Sequence, residues 1–283
     1  MRVGVVGGGL MGAGIAETVA RAGHDVRIHE PIAAARAPSL ARITASTERA
    51  LAAGKLEAQE QRALLERIVY VDELAQLADR ELVIEAVVED RAVKLDYFRR
   101  LERHVCADAL LASNTSSIPI AELAAAVSTP ERVLGLHFFS PAPVMRLVEV
   151  VAALDTSEQT LATARRFVES LDKTVVMSKD RAGFVVNLLL VPYLVAAVRM
   201  LEEGFATRED IDAAMALGCG HPMGPLTLCD FIGLDVVSAV CDSLFEEFKR
   251  AEYAAPPLLS RMISAGRLGR KSGRGFYTYQ AGR

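Results

Sequence analysis

The ten residues Val3-Gly4-Val5-Val6-Gly7-Gly8-Gly9-Leu10-Met11-Gly12 constrain this chain more than any other stretch. A short β-branched run ends directly on the spacing G-x-G-x-x-G, and an Ala-rich segment, Ala13 to Ala22, follows. This is the pattern of a strand, a tight turn and a helix that together hold a dinucleotide. Gly7 permits the turn, Gly9 lets backbone N–H groups approach a pyrophosphate, and Gly12 lets helix and strand pack closely. Leu10 and Met11 open the helix, whose N-terminus supplies partial positive charge for the phosphates. The same glycines argue against reading the segment as the apolar helix of a signal peptide, which they would weaken.

The second β-branched run, Val26 to Ile28, leads to Glu30, roughly 20 residues after the glycines, where this fingerprint calls for an acid on the adenosine ribose. A carboxylate there repels a 2′-phosphate, so NAD is the expected cofactor rather than NADP. Further runs at Leu82 to Val88, Leu110 to Ala112 and Val133 to Phe139 read as strands of the same sheet, with Leu147 to Val151 and Thr174 to Met177 extending it or adding strands at its edge. After Gly183 the β-branched runs give way to helical spacing with Gly and Pro punctuation. The expected fold is therefore α/β, with a Rossmann-like N-terminal domain over residues 1–182 and a mostly α-helical C-terminal domain over residues 183–283. Phe184 to Glu203 reads as one long helix with a kink or break near Pro192, and Thr207 as the N-cap of the next.

A formal net charge of −4 gives no electrostatic reason to expect nucleic acid, and no apolar run is long enough to cross a membrane. Cys106, Cys219, Cys229 and Cys241 form no C-x-x-C pair and no metal-ligand spacing, so no metal is expected and reduced thiols in the cytoplasm are the default. The basic run Arg267, Arg270, Lys271 and Arg274 reads as a solvated loop in preference to a phosphate clamp.

Six further segments carry a resemblance: VIEAVVED (83–90), SNTSSIPI (113–120), GLHFFSPAPVMRLVEV (135–150), AGFVVNLLLVPYL (182–194), HPMGPLTLCDFIGLD (221–235) and LGRKSGRGFYTY (268–279). With the glycine fingerprint they make the chain similar, over nearly its whole length, to the 3-hydroxyacyl-CoA dehydrogenase family, above all its short-chain, single-function members. The resemblance implies a homodimer, with NAD and an acyl-CoA substrate meeting at the cleft between the two domains. It places the catalytic histidine at His137, its glutamate partner at Glu149, substrate contacts at Ser116 and Asn187, and cofactor-proximal residues at Glu89 and Lys94. The expected reaction interconverts a (3S)-3-hydroxyacyl-CoA, with short-chain 3-hydroxybutyryl-CoA as the first candidate, and its 3-oxoacyl-CoA; the alternatives are a dehydrogenase of another 3-hydroxy acid or of hydroxyadipyl-CoA, and a dinucleotide-binding protein without turnover. One departure stands out: Ser140 occupies the place of an asparagine in the family's HFFNP motif, and its hydroxyl lacks the reach and second donor of an amide.

Those residue types suit alcohol oxidation. A neutral imidazole accepts a hydroxyl proton near physiological pH, and an oriented carboxylate stabilises the imidazolium that results. The Ser116 hydroxyl and Asn187 amide supply hydrogen bonds to a substrate oxygen, with Ser116 and Ser140 also near the nicotinamide side. Taken without the resemblance, His137 at an apolar strand end is as readily a satisfied core residue, and Ser116 or Asn187 a helix cap.

Overall fold

A computed structural model of the chain describes residues 1–279 and divides into two compact units, Met1–Arg181 and Ala182 onward. In the first unit eight strands form one sheet: β1 (Arg2–Val6), β2 (Asp25–His29), β3 (Ile68–Val71), β4 (Leu82–Glu85), β5 (Leu110–Ser113), β6 (Val133–Phe138), β7 (Leu147–Ala152) and β8 (Thr174–Lys179). Their spatial order is β3-β2-β1-β4-β5-β6-β7-β8, and every neighbouring pair is parallel except β6 and β7. Helices α1 (Leu10–Arg21), α2 (Ala33–Ala52), α3 (Ala58–Glu66), α4 (Arg91–His104), α5 (Ile120–Ala124) and α6 (Glu158–Ser170) lie in the connections other than β3 to β4 and β6 to β7. The β-branched character of the central strands follows from burial on both faces: every residue of β4 and β6 is buried.

The strand order reverses between β1 and β4, and in open α/β sheets ligands bind beyond the carboxyl ends of strands at such a switch point. The glycine turn after β1 lies there. Gly7 has φ +98°, and a Cβ on it would stand 2.8 Å from the Ala86 carbonyl oxygen, so only glycine fits. A Cβ on Gly12 would overlap the Gly7 carbonyl oxygen, which is the close helix–strand approach the fingerprint requires.

Several element boundaries differ from the sequence reading. The strand read as Leu82 to Val88 stops at Glu85, because the Val87 N–H turns back onto the Glu85 carboxylate, and the strand read to Phe139 stops at Phe138. β3, an edge strand with only Val71 buried, was missed in the sequence reading, although Ile68-Val69-Tyr70-Val71 is a β-branched and aromatic run of the kind that marks the other strands.

In the second unit, α7 (Val186–Glu202), α8 (Arg208–Gly218), α9 (Pro225–Ile232), α10 (Leu234–Phe248) and α11 (Pro257–Ser264) pack around Val191, Leu194, Val195, Leu226, Val237 and Leu244. The helix expected from Phe184 begins two residues later, since Phe184 is held at φ +48°, and it runs through Pro192 as one element instead of breaking there. Thr207 caps α8 by accepting the Asp210 N–H. Asp230, almost fully buried, accepts the N–H groups of Phe276 and Tyr277 and the Tyr279 hydroxyl, tying the last described residues to α9. The basic run joins this packing: Lys271 pairs with Asp235, and Arg270 lies over the rings of Phe231 and Tyr279.

No helix among the described residues is long and apolar enough to cross a membrane.

Candidate active site

The dinucleotide end of the site is built on β1, β2 and α1. Glu30 follows β2 directly, and its carboxylate is nearly buried, accepting N–H groups from Gly8 at 3.0 Å and Ile32 at 3.1 Å. The acid is thus drawn onto the glycine turn itself. Gly9, at φ −66°, has nothing within 4 Å of where a Cβ would stand, so open space lies beside the backbone at the helix start. An anion-compatible helix N-terminus, a turn open at Gly9 and an acid beside it are together what a dinucleotide requires, and the residues present fit NAD.

Beyond β4 a second cluster forms. Glu85, fully buried at the end of β4, accepts the Lys94 ammonium at 2.6 Å, the Ser113 hydroxyl at 2.6 Å and the Val87 N–H at 2.7 Å. Lys94, itself 1% exposed, also reaches Glu89 at 3.2 Å. Glu89 in turn accepts the Ser116 N–H at 3.1 Å, the Ser117 hydroxyl at 2.8 Å and the Thr115 hydroxyl. Partial burial pushes the Glu89 carboxyl up, but the Lys94 charge and the Thr115 and Ser117 hydroxyls outweigh it and hold its pKa below the ordinary value. Lys94 therefore serves the fold as well as any cofactor: breaking one side of a buried ion pair costs about 3–5 kcal/mol.

The third element is the reversal of the sheet. β7 runs antiparallel to β6, and the register sets Glu149 opposite His137. Directly opposed residues in an antiparallel pair point to the same face, which brings Oε2 of Glu149 to 2.7 Å from Nδ1 of His137. Glu149 is fully buried and His137 nearly so. On the other side of the ring, Nε2 lies 2.9 Å from the Ser116 hydroxyl. This geometry lets Nδ1–H donate to the Glu149 carboxylate while Nε2 faces the Ser116 hydroxyl. Phe139 packs against the imidazole with ring centroids 4.6 Å apart, and Asn114 accepts the Phe138 N–H at 2.8 Å, binding the end of β6 to the loop that carries Ser116.

Within the first unit the fold thus brings Ser116, His137 and Glu149 into one chain of contacts, and Gly7, Gly9, Leu10, Met11, Gly12 and Glu30 into another region at the same sheet end. Ser140 is exposed, precedes a cis peptide bond to Pro141, and borders a cavity of about 530 Å³ lined also by Leu10, Gly14, Arg42 and Arg49. Asn187 lies in the first turn of α7, half-buried, in the second unit. Sequence reasoning missed Glu85, Ser113 and Asn114. The signal for Glu85 was present: an acid within the apolar run of a doubly covered strand must be paired, and Lys94 lies nine residues on.

Two family models divide the chain between them: the 3-hydroxyacyl-CoA dehydrogenase NAD binding domain matches residues 2–181, and the 3-hydroxyacyl-CoA dehydrogenase C-terminal domain matches residues 183–279. The chain belongs to the 3-hydroxyacyl-CoA dehydrogenase family and is an NAD-dependent oxidoreductase. Among its relatives, a 3-hydroxybutyryl-CoA dehydrogenase of Mycobacterium tuberculosis is 55% identical over 98% of both chains. The mitochondrial hydroxyacyl-coenzyme A dehydrogenase of Sus scrofa is 40% identical over 98% of this chain and 90% of its own. Among solved structures, FadB2 of M. tuberculosis superposes with a TM-score of 0.97 at 55% identity, covering 99% of each chain. The (S)-3-hydroxybutyryl-CoA dehydrogenase PaaH1 of Ralstonia eutropha gives a TM-score of 0.94 at 40% identity, again covering 99% of each chain.

Proposed function

We propose that the chain interconverts (3S)-3-hydroxybutyryl-CoA and the corresponding 3-oxoacyl-CoA, with His137 as the proton-transfer group. The observation that carries this reading is the contact chain Ser116–His137–Glu149, with 2.9 Å and 2.7 Å at its two links. Nε2 of neutral His137 accepts the proton of the substrate 3-hydroxyl, and in the reverse direction the imidazolium returns it. Glu149, held away from water, orients the ring and stabilises the imidazolium without taking the proton. The Ser116 hydroxyl turns from Nε2 to hydrogen-bond the substrate oxygen, and Asn187 is proposed as a further substrate contact. Bound NAD supplies the hydride acceptor. The backbone of Gly7, Gly9, Leu10, Met11 and Gly12 is proposed to hold its pyrophosphate and Glu30 its ribose, with Glu89, Lys94, Ser116 and Ser140 toward the nicotinamide.

The cavity beside Ser140 supports an acyl-CoA substrate, because Arg42 and Arg49 on its wall offer positive charge to the phosphates of the CoA moiety. Leu189, Phe205 and Leu217, each more than 70% exposed, support a homodimer formed through the second unit. The four free cysteines suit a reducing compartment such as the cytoplasm.

A NADH-consumption assay across a series of 3-oxoacyl-CoA thioesters tests the reading. The C4 thioester is expected to give the highest kcat/KM. Confirmed NADH binding without turnover of any thioester would contradict it in favour of a protein that binds dinucleotide without catalysis.

A further inference from the structure

We propose that Glu85 is a positioning residue for the reaction: its buried carboxylate, by holding Lys94 and Ser113, fixes the Thr115–Ser116 backbone from which the Ser116 hydroxyl meets His137. The proposal rests on the reading of Ser116 and His137 given above.

Two routes run from Glu85 to that backbone. In the first, the Ser113 hydroxyl donates to Glu85 at 2.6 Å and accepts the Thr115 N–H at 3.2 Å. In the second, Lys94 bridges Glu85 at 2.6 Å and Glu89 at 3.2 Å, and Glu89 accepts the Ser116 N–H at 3.1 Å. Both therefore end on consecutive residues of one loop. The sheet register places Glu85 directly beside Ser113, so the first route is a consequence of strand pairing and not of a chance side-chain orientation.

Glu85 balances the buried Lys94, but the fold does not require that the two form an ion pair at all: Glu85 is fully buried at the end of a strand whose other residues are Leu82, Val83 and Ile84, and buried ion pairs are commonly replaced, both partners together, by apolar residues at no loss of stability. What an apolar residue cannot do is hold an ammonium in place. With Glu85 removed, Lys94 keeps Glu89 as its ionic partner among the described residues and draws it toward itself, away from the Ser116 N–H. The Ser116 hydroxyl then loses its alignment with Nε2 of His137, and displacements of about 1 Å at a reacting centre cost on the order of 10²-fold in rate.

The test is a double-variant cycle of Glu85→Gln and Ser116→Ala in the full chain, read by kcat, KM and NADH affinity. Glu85→Gln is expected to lower kcat at least about tenfold while KM and the NADH dissociation constant move less than about threefold, a split that general loss of packing would not produce. The double variant is expected to be no slower than Ser116→Ala alone. Losses that multiply, or wild-type kcat in Glu85→Gln beside an impaired Ser116→Ala, would overturn the role of Glu85 and leave the active-site reading intact. Wild-type kcat in Ser116→Ala would overturn the Ser116 reading and this proposal with it. Should Glu85→Gln fail to fold, Ser113→Ala replaces it in the same cycle with the same criteria, since it cuts the first route without unpairing Lys94.

Discussion

Nδ1 of His137 lies 2.7 Å from Oε2 of Glu149, its register partner on the adjacent antiparallel strand. The two residues are twelve apart in sequence, and in a purely parallel sheet a second strand could not return so soon, because a parallel connection needs a crossover of a dozen or more residues. The single antiparallel pairing in the sheet is therefore what places an acid opposite the imidazole. It also puts the pair under cover, where the carboxylate acts in a low dielectric and the ring has one orientation.

Glu30 is proposed to set cofactor choice. Its carboxylate is fixed on the glycine turn by two backbone N–H groups, so it cannot swing away from an incoming 2′-phosphate without losing both. NADH is expected to be preferred to NADPH by at least about tenfold in kcat/KM, or about 1.4 kcal/mol, with the gap narrowing in Glu30→Gln. Steady-state rates with each cofactor measure this. Equal efficiency with both in the wild-type protein would show that Glu30 does not face the ribose.

The glycines of the turn separate into two kinds. Gly9→Ala meets open space at an ordinary φ, so the variant is expected to keep the wild-type melting temperature while binding NADH on the order of tenfold more weakly, as the methyl group stands where the pyrophosphate approaches. Gly12→Ala collides with the Gly7 carbonyl and is expected to destabilise the fold itself by about 1–3 kcal/mol. Thermal melts and NADH titrations of both variants give the comparison; a destabilised Gly9→Ala with unchanged affinity would remove that residue from the dinucleotide site.

His29 is expected to make folding stability sensitive to mild acid. Burial, the first cause, and the nearby Arg100 hold its pKa below the ordinary 6.5, and its buried Nδ1 has no hydrogen-bond partner among the described residues. Between the lowered folded value and 6.5 the unfolded chain binds a proton that the folded chain does not, so stability is full above pH 6.5 and falls as pH drops through that window. The slope for one proton is at most about 1.4 kcal/mol per pH unit. Urea unfolding at pH 7.5 and 5.5 is expected to show a smaller loss in His29→Gln than in the wild type, whatever the variant's absolute stability. An identical loss in both would assign the acid sensitivity to other groups.

The legible parts of this molecule were those whose chemistry is local in sequence. The glycine turn and Glu30 belong to one strand–helix–strand unit, and the physics of close backbone approach fixes their spacing. His137 and Glu149 were recognisable only through resemblance, because their pairing depends on strand order and direction, which no local pattern encodes. Glu85 was legible only in part: in the apolar run LVIEAVV it reads as an acid that must be paired, but that its partners are Lys94 on a helix and Ser113 on a neighbouring strand depends on the fold. Pro192 left two outcomes open, a kinked helix or a broken one; it sits inside the single helix α7, where burial of Val191, Leu194, Val195 and Val198 outweighs its missing N–H.

The central claim is that His137 and Glu149 act as one unit, and a four-cornered cycle tests it. His137→Ala and Glu149→Gln are each expected to lower kcat by on the order of 10²- to 10⁴-fold, with NADH affinity retained. The double variant is expected to be little slower than the slower single one, as for residues that share one role. Losses that multiply would place Glu149 outside the proton-transfer unit, and near-wild-type turnover in His137→Ala would contradict the account altogether.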